Sequence, residues 1–333
     1  MQARPTEGAT PGTTPLVTPG GDTLPPSMYA LLAALTLIWG FNWTVIKVVI
    51  TEVPPWFFRS LCFLSAFFGL LAVARARSLP MRPRGASEWR RIAAVALCTV
   101  SLQNIFLMLA IPLLSSGRVV ILLYTMPAWS VLLARGVLGE AFTARRLTGA
   151  ALGVAGVGVL LAKDVRVWAA GGTLPDDAAL GMLLMVGAAF FWALGVVLQK
   201  RLRVDLPVAS YTAWMALIGG IPVFLLCALF EREALAGLHG VSLWPALGVL
   251  FNMFLVFIFG WWAWTKIVAS VPAGVAGLSS LFIPVVGVAS GMIFLAEVPA
   301  WQDWAALALV SAAIATVLIP GRSAGNAPAP ASR

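Results

Sequence analysis

The sequence predicts an all-α integral membrane protein with ten transmembrane helices, built from two inverted five-helix repeats around a central cavity. The chain has 333 residues, of which 60% are hydrophobic and only 11% are charged, whereas soluble domains carry about 25% charged residues. Between its polar ends the chain has room for about ten apolar spans of about 20 residues each. The two halves also carry matching residues, which indicates a duplicated unit.

The polar ends are rich in Thr, Pro, Gly and Ala, and residues 1–27 and 321–333 are therefore predicted to be disordered tails. The first tail lacks the basic start of a signal peptide. Hydropathy places ten spans between the tails, at residues 29–50, 56–73, 91–111, 118–137, 146–161, 179–200, 208–230, 243–267, 273–295 and 301–319.

Loop charges predict the orientation of these spans. Sixteen of the 22 Lys and Arg residues fall on the side of the amino terminus. The six on the opposite side are Lys47, Arg59, Arg118, Lys163, Arg166 and Arg232. The positive-inside rule then predicts that both termini are cytoplasmic in a multi-pass protein. Since topology accounts for the net charge of +9, no nucleic-acid partner is expected and the lipid bilayer is the expected surroundings.

An internal repeat supports the count of ten. Residues of the first half recur in the second at offsets of 153 or 157: Trp39 and Lys47 match Trp192 and Lys200, and Gly117, Pro127 and Glu140 match Gly274, Pro284 and Glu297. Because each half has an odd number of spans, the second copy enters the membrane from the opposite side. The repeats are predicted at 28–165 and 178–320, and such inverted repeats are typical of transporters.

Several classes of protein are excluded. One histidine, His239 in a predicted loop, and three scattered cysteines, Cys62, Cys98 and Cys227, provide no metal centre. No Asp or Glu lies in the middle third of a predicted span, and no phosphate-binding Gly-x-x-x-x-Gly-Lys-Ser/Thr motif is present. We therefore expect neither an enzyme nor a bound cofactor.

Polar and aromatic residues within the spans indicate a substrate pathway for a small molecule. Such side chains are costly in lipid unless they are paired or face a cavity. The candidates include Trp39, Asn42, Asn104, Tyr124, Trp192, Trp261, Trp264 and Ser280. For the polar members, hydrogen bonding between helices is an equally good interpretation, and the indoles could stack on a planar or apolar solute.

Three further groups complete the expectations. Pro127 and Pro284, matched and near mid-span, are predicted hinges because proline removes a helical hydrogen bond. Lys47, Arg118 and Lys200 could bind an anion at the cavity mouths, although Lys47 could also reach the interface. Small residues in spans five and ten predict close packing, either inside a monomer or in a weak homodimer.

These motifs resemble a known family. Residues 37–44 (LIWGFNWT), 124–129 (YTMPAW) and 138–140 (LGE), with their echoes in the second half, are similar to the drug/metabolite transporter superfamily in its ten-helix EamA-type branch. The resemblance implies a bacterial inner-membrane exporter of amino acids or other metabolites, with the candidate residues beside a cavity. The first span lacks the glutamate on which small multidrug pumps of the superfamily rely, which argues against proton-coupled drug export.

The predicted function is export of small metabolites, most plainly amino acids with apolar or aromatic side chains, by alternating access. Two alternatives stay open. One is an anion exchanger for phosphorylated or nucleotide-linked sugars, and the other is a lipid flippase.

Overall fold

The protein forms a helical bundle in the computed structural model, which describes residues 25–140, 143–169, 176–238, 240–270 and 273–318. Seven helices within them are long and apolar enough to cross a membrane, and two shorter apolar helices, Leu147–Ala162 and Phe282–Leu295, lie in the fifth and ninth spans. Spans 1 to 10 are Pro26–Val49, Pro55–Ala76, Ala86–Leu113, Ser116–Leu138, Ala144–Ala169, Asp176–Arg201, Val208–Phe230, 243–270, Ala273–Leu295 and Trp301–Leu318. The predicted fold class is confirmed.

Local sequence explains several helix ends. Span 1 begins at Pro26 and span 2 at Pro55, because proline at the first helical position sacrifices an N–H that has no partner there in any case. Span 4 ends at Gly139, whose φ of 70° is a left-handed conformation that glycine adopts without strain. The predicted tails lie outside the described residues, apart from 25–27, where helix begins earlier than expected.

The helix contacts show the inverted repeat directly. Span 1 packs on span 9, and their repeat mates, spans 6 and 4, pack on each other. Span 3 packs on span 6 as span 8 packs on span 1, and span 3 packs on span 7 as span 8 packs on span 2. Spans 2 and 7, and spans 5 and 10, pair with their own mates. Each of these contacts thus has a counterpart under a pseudo-two-fold axis.

Small residues allow the closest of these contacts. A Cβ at Gly40 in span 1 would lie 2.5 Å from the Val286 side chain in span 9. In span 5, a Cβ at Gly156 would lie 3.0 Å from Val310 in span 10. The small-residue faces predicted for spans 5 and 10 therefore pack against each other within the chain.

The two matched prolines differ in their effect on the helix. Span 4 is interrupted at Tyr124 and Thr125, and a new helix starts at Met126 with Pro127 in its first turn, where a missing N–H costs little. Span 9 continues past Pro284 without interruption. The expected opening of the helix is thus present in the first repeat only.

The bundle has a distal end and a proximal end. The distal end holds the loops that join spans 1 to 2, 3 to 4, 7 to 8 and 9 to 10. The proximal end holds the start of span 1 and the loops that join spans 2 to 3, 4 to 5 and 6 to 7.

Candidate functional site

A small cavity lies between the two repeats, inside the bundle. Its volume is about 40 Å³, and it takes wall residues from spans 2, 3, 6, 7 and 8. The lining consists of Phe63, Ala66, Thr99, Val100, Trp192, Thr212, Met215, Ala216, Phe257 and Trp261. The wall is apolar and aromatic, with two threonines and no charged side chain, so its chemistry suits an apolar or aromatic group, whereas its volume in this conformation is smaller than such a group requires.

Four tryptophans form a cluster at this cavity, and all four were predicted pathway residues. The Trp39 ring centroid lies 6.4 Å from that of Trp261 and 5.8 Å from that of Trp264. The Trp192 and Trp261 centroids are 6.2 Å apart, and both rings line the cavity. Spans 1, 6 and 8 thus bring together indoles that are more than 200 residues apart in sequence, from Trp39 to Trp264.

The predicted polar residues lie apart from the cavity wall. The buried Asn104 amide donates to Gln103 Oε1 at 2.6 Å and to the Val100 carbonyl at 2.9 Å. Asn42 is buried with no hydrogen-bond partner for Oδ1, and Tyr124 is buried at the interruption of span 4. The Ser280 side chain lies outside the described residues. None of these lines the cavity in this conformation.

Two π-helical segments, which hydropathy did not predict, shape the wall. Residues Leu97–Leu102 of span 3 and Phe251–Phe259 of span 8 are π-helical and occupy equivalent positions in the two repeats. The wider turns carry Thr99, Val100 and Phe257 on the cavity wall. Such turns are rare and often mark functional sites. Hydropathy is insensitive to them because an apolar segment stays apolar in either helix type.

An ion pair joins the repeats at the distal end. Lys47 Nζ of span 1 lies 3.4 Å from Glu297 Oε1, at the end of span 9. Glu297 Oε1 also accepts a hydrogen bond from the Ser116 backbone N–H at 2.8 Å, at the start of span 4. A carboxylate is stabilised there both by the cation and by the positive end of the helix dipole. We call Lys47, Glu297 and Ser116 the distal closure.

A second ion pair lies beside the distal closure. Arg118 Nε donates to Asp303 Oδ1 at 2.7 Å, and the Asp303 side chain is 7% exposed. A cavity of about 160 Å³ lies between the pairs, with Gly117, Glu297 and Asp303 in its wall. Two of the candidate anion partners, Lys47 and Arg118, therefore each contact a carboxylate of the protein.

Two further carboxylates join loops of the distal end. Glu231 accepts hydrogen bonds from the backbone N–H groups of Trp56 and Phe57, at 2.8 and 2.6 Å. Burial raises the pKa of Glu231 above its usual value, against the opposite effect of these two donors. Glu52 Oε2 accepts a hydrogen bond from the Ser242 backbone N–H at 2.7 Å, and that bond lowers the pKa of Glu52.

The proximal end has different contacts. Lys200, the repeat mate of Lys47, is exposed and forms no ion pair with a described residue. Arg84 pairs with Asp205 at 3.0 Å, with both side chains largely in solvent. Trp214 Nε1 donates to the Met81 carbonyl at 2.6 Å. The third candidate anion partner is thus unpaired within the described chain.

Arg59 is a buried cation that the sequence did not single out. Counted among the distal bases, it lies inside span 2 and is only 3% exposed. Its Nε donates to the Met108 sulfur at 3.4 Å, and its guanidinium lies 5.8 Å from the centroid of the Phe257 ring. The signal available in the sequence was its fifth position in a hydrophobic helix that starts at Pro55.

Metal binding finds no support in the described residues, where no group of three His, Cys, Asp or Glu side chains could hold an ion. His239 lies outside them.

Comparison with known proteins assigns the chain to a family. Residues 26–162 and 179–319 each match the EamA-like transporter family, so that the match covers both halves. The chain belongs to the EamA-like transporter family. The resemblance to the drug/metabolite transporter superfamily is thereby confirmed, and the chain is a multi-pass membrane transporter of that superfamily.

Relatives of this EamA-like transporter include two curated bacterial proteins. It is 27% identical over 274 residues to the "Probable amino-acid metabolite efflux pump" of Escherichia coli (strain K12), covering 80% of this chain and 86% of that one. It is 28% identical over 291 residues to the protein of the same name in Salmonella typhimurium, covering 85% and 92%. A solved crystal structure shares the fold with a TM-score of 0.58 at 21% identity, over 87% of this chain and 96% of that one.

Proposed function

We propose that this EamA-like transporter exports amino acids with apolar or aromatic side chains across a bacterial inner membrane, with both termini in the cytoplasm. The observation that carries the proposal is the cluster of Trp39, Trp192, Trp261 and Trp264, two of which, Trp192 and Trp261, line the small cavity. Indole faces stack on aromatic and apolar groups, with about 0.5–1.5 kcal/mol for each aromatic pair.

The cavity wall fits this solute class better than a multiply charged one. Its described lining has no charged side chain, and the polar groups of its side chains are the hydroxyls of Thr99 and Thr212 and the indole N–H groups of Trp192 and Trp261. A sugar phosphate would bring two negative charges into a wall that offers no cation. The printed names of the two relatives, amino-acid metabolite efflux pumps, support the same solute class.

The anion-exchanger alternative is not favoured by the distal contacts. Lys47 and Arg118 are two of its three candidate anion partners, and the carboxylates of Glu297 and Asp303 contact both. A substrate anion would have to displace these carboxylates before it could bind.

The inverted repeats provide a mechanism of alternating access. The distal closure joins the first repeat, through Lys47 and Ser116, to Glu297 of the second. The repeat mates of Lys47 and Glu297 are Lys200 and Glu140, which lie at the proximal end. In the outward-open conformation, Lys200 and Glu140 form the equivalent ion pair while the distal closure is broken.

Counterflow in proteoliposomes tests the transport proposal. Vesicles loaded with unlabelled phenylalanine, methionine or threonine should take up the labelled amino acid, with or without a proton gradient. Trp192→Ala should weaken apparent affinity, while Trp244→Ala, a control at an indole that is 72% exposed, should not. Absence of counterflow for a broad panel of amino acids would overturn the substrate class. Uptake of a phosphorylated sugar instead would support the exchanger.

A further inference from the structure

Arg59 has no partner among the described residues that accounts for its burial. The guanidinium offers five N–H donors, yet its contacts with described side chains are the Met108 sulfur at 3.4 Å and the rings of Phe58 and Phe257, at 5.3 and 5.8 Å. A thioether is a weak acceptor. No described Asp or Glu forms an ion pair with Arg59.

Stability does not explain a cation at this position. Moving an unpaired charge out of water costs several kcal/mol even after the protein relaxes. The cost is greater near the start of a helix, where the dipole repels positive charge, and Arg59 is the fifth residue of span 2. The carboxylate at that helix start, Glu231, is used by the backbone N–H groups of Trp56 and Phe57.

The position of Arg59 relative to the cavity indicates its role. Phe257, beside the guanidinium, lines the small cavity and stacks edge-on against Phe63 at 5.7 Å. Phe63 lies one helical turn after Arg59 on span 2 and also lines the cavity. The Phe257 ring therefore lies between the guanidinium and the small cavity that Trp192 and Trp261 line. The guanidinium is on the distal side of this cavity.

We propose that Arg59 binds the carboxylate of the transported amino acid, while the side chain of the substrate packs among the tryptophans. The inference rests on the proposed function, whose substrate class it makes specific. A guanidinium holds a carboxylate with two parallel hydrogen bonds. The carboxylate of a zwitterionic amino acid neutralises the buried guanidinium and leaves the substrate ammonium to the aromatic faces, whereas a dianion would leave an excess negative charge beside Arg59.

The wall of the small cavity predicts that the amino group of the substrate contributes little to binding. The described cavity lining has no acidic side chain, so the ammonium of the substrate meets only indole faces and hydroxyls. Removing the carboxylate should therefore weaken binding far more than removing the amine. 3-Phenylpropionate should compete nearly as well as phenylalanine, and phenylalanine amide should compete at least tenfold less well.

The experiment measures inhibition of phenylalanine counterflow by these two analogues, with wild type and three variants in proteoliposomes. Arg59→Met keeps the length of the side chain without its charge and should raise the KM for phenylalanine at least tenfold, leaving inhibition by the amide unchanged. The KM of Arg59→Lys for phenylalanine should fall between those of wild type and Arg59→Met. Arg84→Met, a control at a largely exposed arginine, should match wild type.

Failures of the two proposals are distinguishable. If wild type shows no counterflow of any amino acid, the proposed function fails. Quenching of tryptophan fluorescence by 3-phenylpropionate then decides on Arg59: quenching that is lost in Arg59→Met supports a carboxylate site, and no quenching in wild type overturns it. If Arg59→Met does not fold, the wild-type comparison stands alone, and equal inhibition by the acid and the amide overturns the inference.

Discussion

Glu297→Gln should open the distal end of the transporter. The substitution removes the ion pair between Lys47 and Glu297, whose side chains are 23% and 16% exposed, respectively. It also weakens the 2.8 Å hydrogen bond from the Ser116 N–H. A hydrogen bond to a charged group contributes about 1.5–3 kcal/mol and a neutral one about 1. Because Gln keeps an acceptor, the net loss is about 2 kcal/mol, which shifts the equilibrium toward the distally open state about 30-fold.

The shift is measured as access from the distal side of the membrane to the small cavity. A cysteine replaces Ala216, which lines the cavity, in a chain whose Cys62, Cys98 and Cys227 are alanine. Labelling by a membrane-impermeant maleimide should accelerate by up to the same factor in Glu297→Gln.

The matched control and the refuting result come from the opposite end of the bundle. Asp205→Asn breaks the exposed pair with Arg84, which is worth about 0–1 kcal/mol and should leave labelling unchanged. Equal labelling rates in Glu297→Gln and wild type would refute the distal closure. Cysteines that replace Glu140 and Lys200 should cross-link faster when Glu297 is also replaced by Gln than when it is kept. No acceleration would refute the ion pair proposed for Lys200 and Glu140.

Three further outcomes are expected. Trp192→Ala should raise the KM for phenylalanine by about three- to tenfold, the equivalent of one lost stacking contact, and Trp192→Phe by less; equal effects would argue against stacking. Because the pKa of Glu231 is raised in the folded state, its contribution to stability is present below pH 4.5 and is lost as the pH rises through the raised value. Glu231→Gln should therefore flatten the fall in unfolding temperature toward neutral pH. An unchanged pH profile would contradict this. Gly40→Ala should cost about 1–3 kcal/mol against Val286, seen as a lower unfolding temperature, whereas Gly136→Ala, with open space around it, should not destabilise.

The sequence contained enough to predict the fold. Ten spans follow from hydropathy and loop charge because both are averaged over many residues, and single errors matter little. The indole cluster could also be predicted from the sequence, because Trp39 and Trp192 recur at the offset of the repeat and lie deeper in their spans than an interfacial belt. The bounds of the spans differ from prediction by at most eight residues, the largest difference being at the end of span 5.

The contacts across the repeats could not be predicted in this way. An alignment of two halves shows that Lys47 matches Lys200 and that Glu140 matches Glu297, but equivalence is not contact. That Lys47 meets Glu297 depends on how spans 1 and 9 pack, with Gly40 against Val286. Arg59 was missed for a related reason, since a base near a helix start counts as a loop charge until the neighbouring helices are in place.

The π-helical segments of spans 3 and 8 have a consequence for comparing relatives. A π turn closes its hydrogen bond over five residues, as from the Gln103 N–H to the Cys98 carbonyl, and so takes in one residue more than an α turn. A relative that keeps regular α-helix there, with the same faces beyond it, has one residue fewer. Without a gap, each later position is then matched to its neighbour, about 100° further around the helix. An alignment that forbids gaps inside transmembrane helices would then pair Asn104 with a residue on another face, and would hide any shared role of this amide.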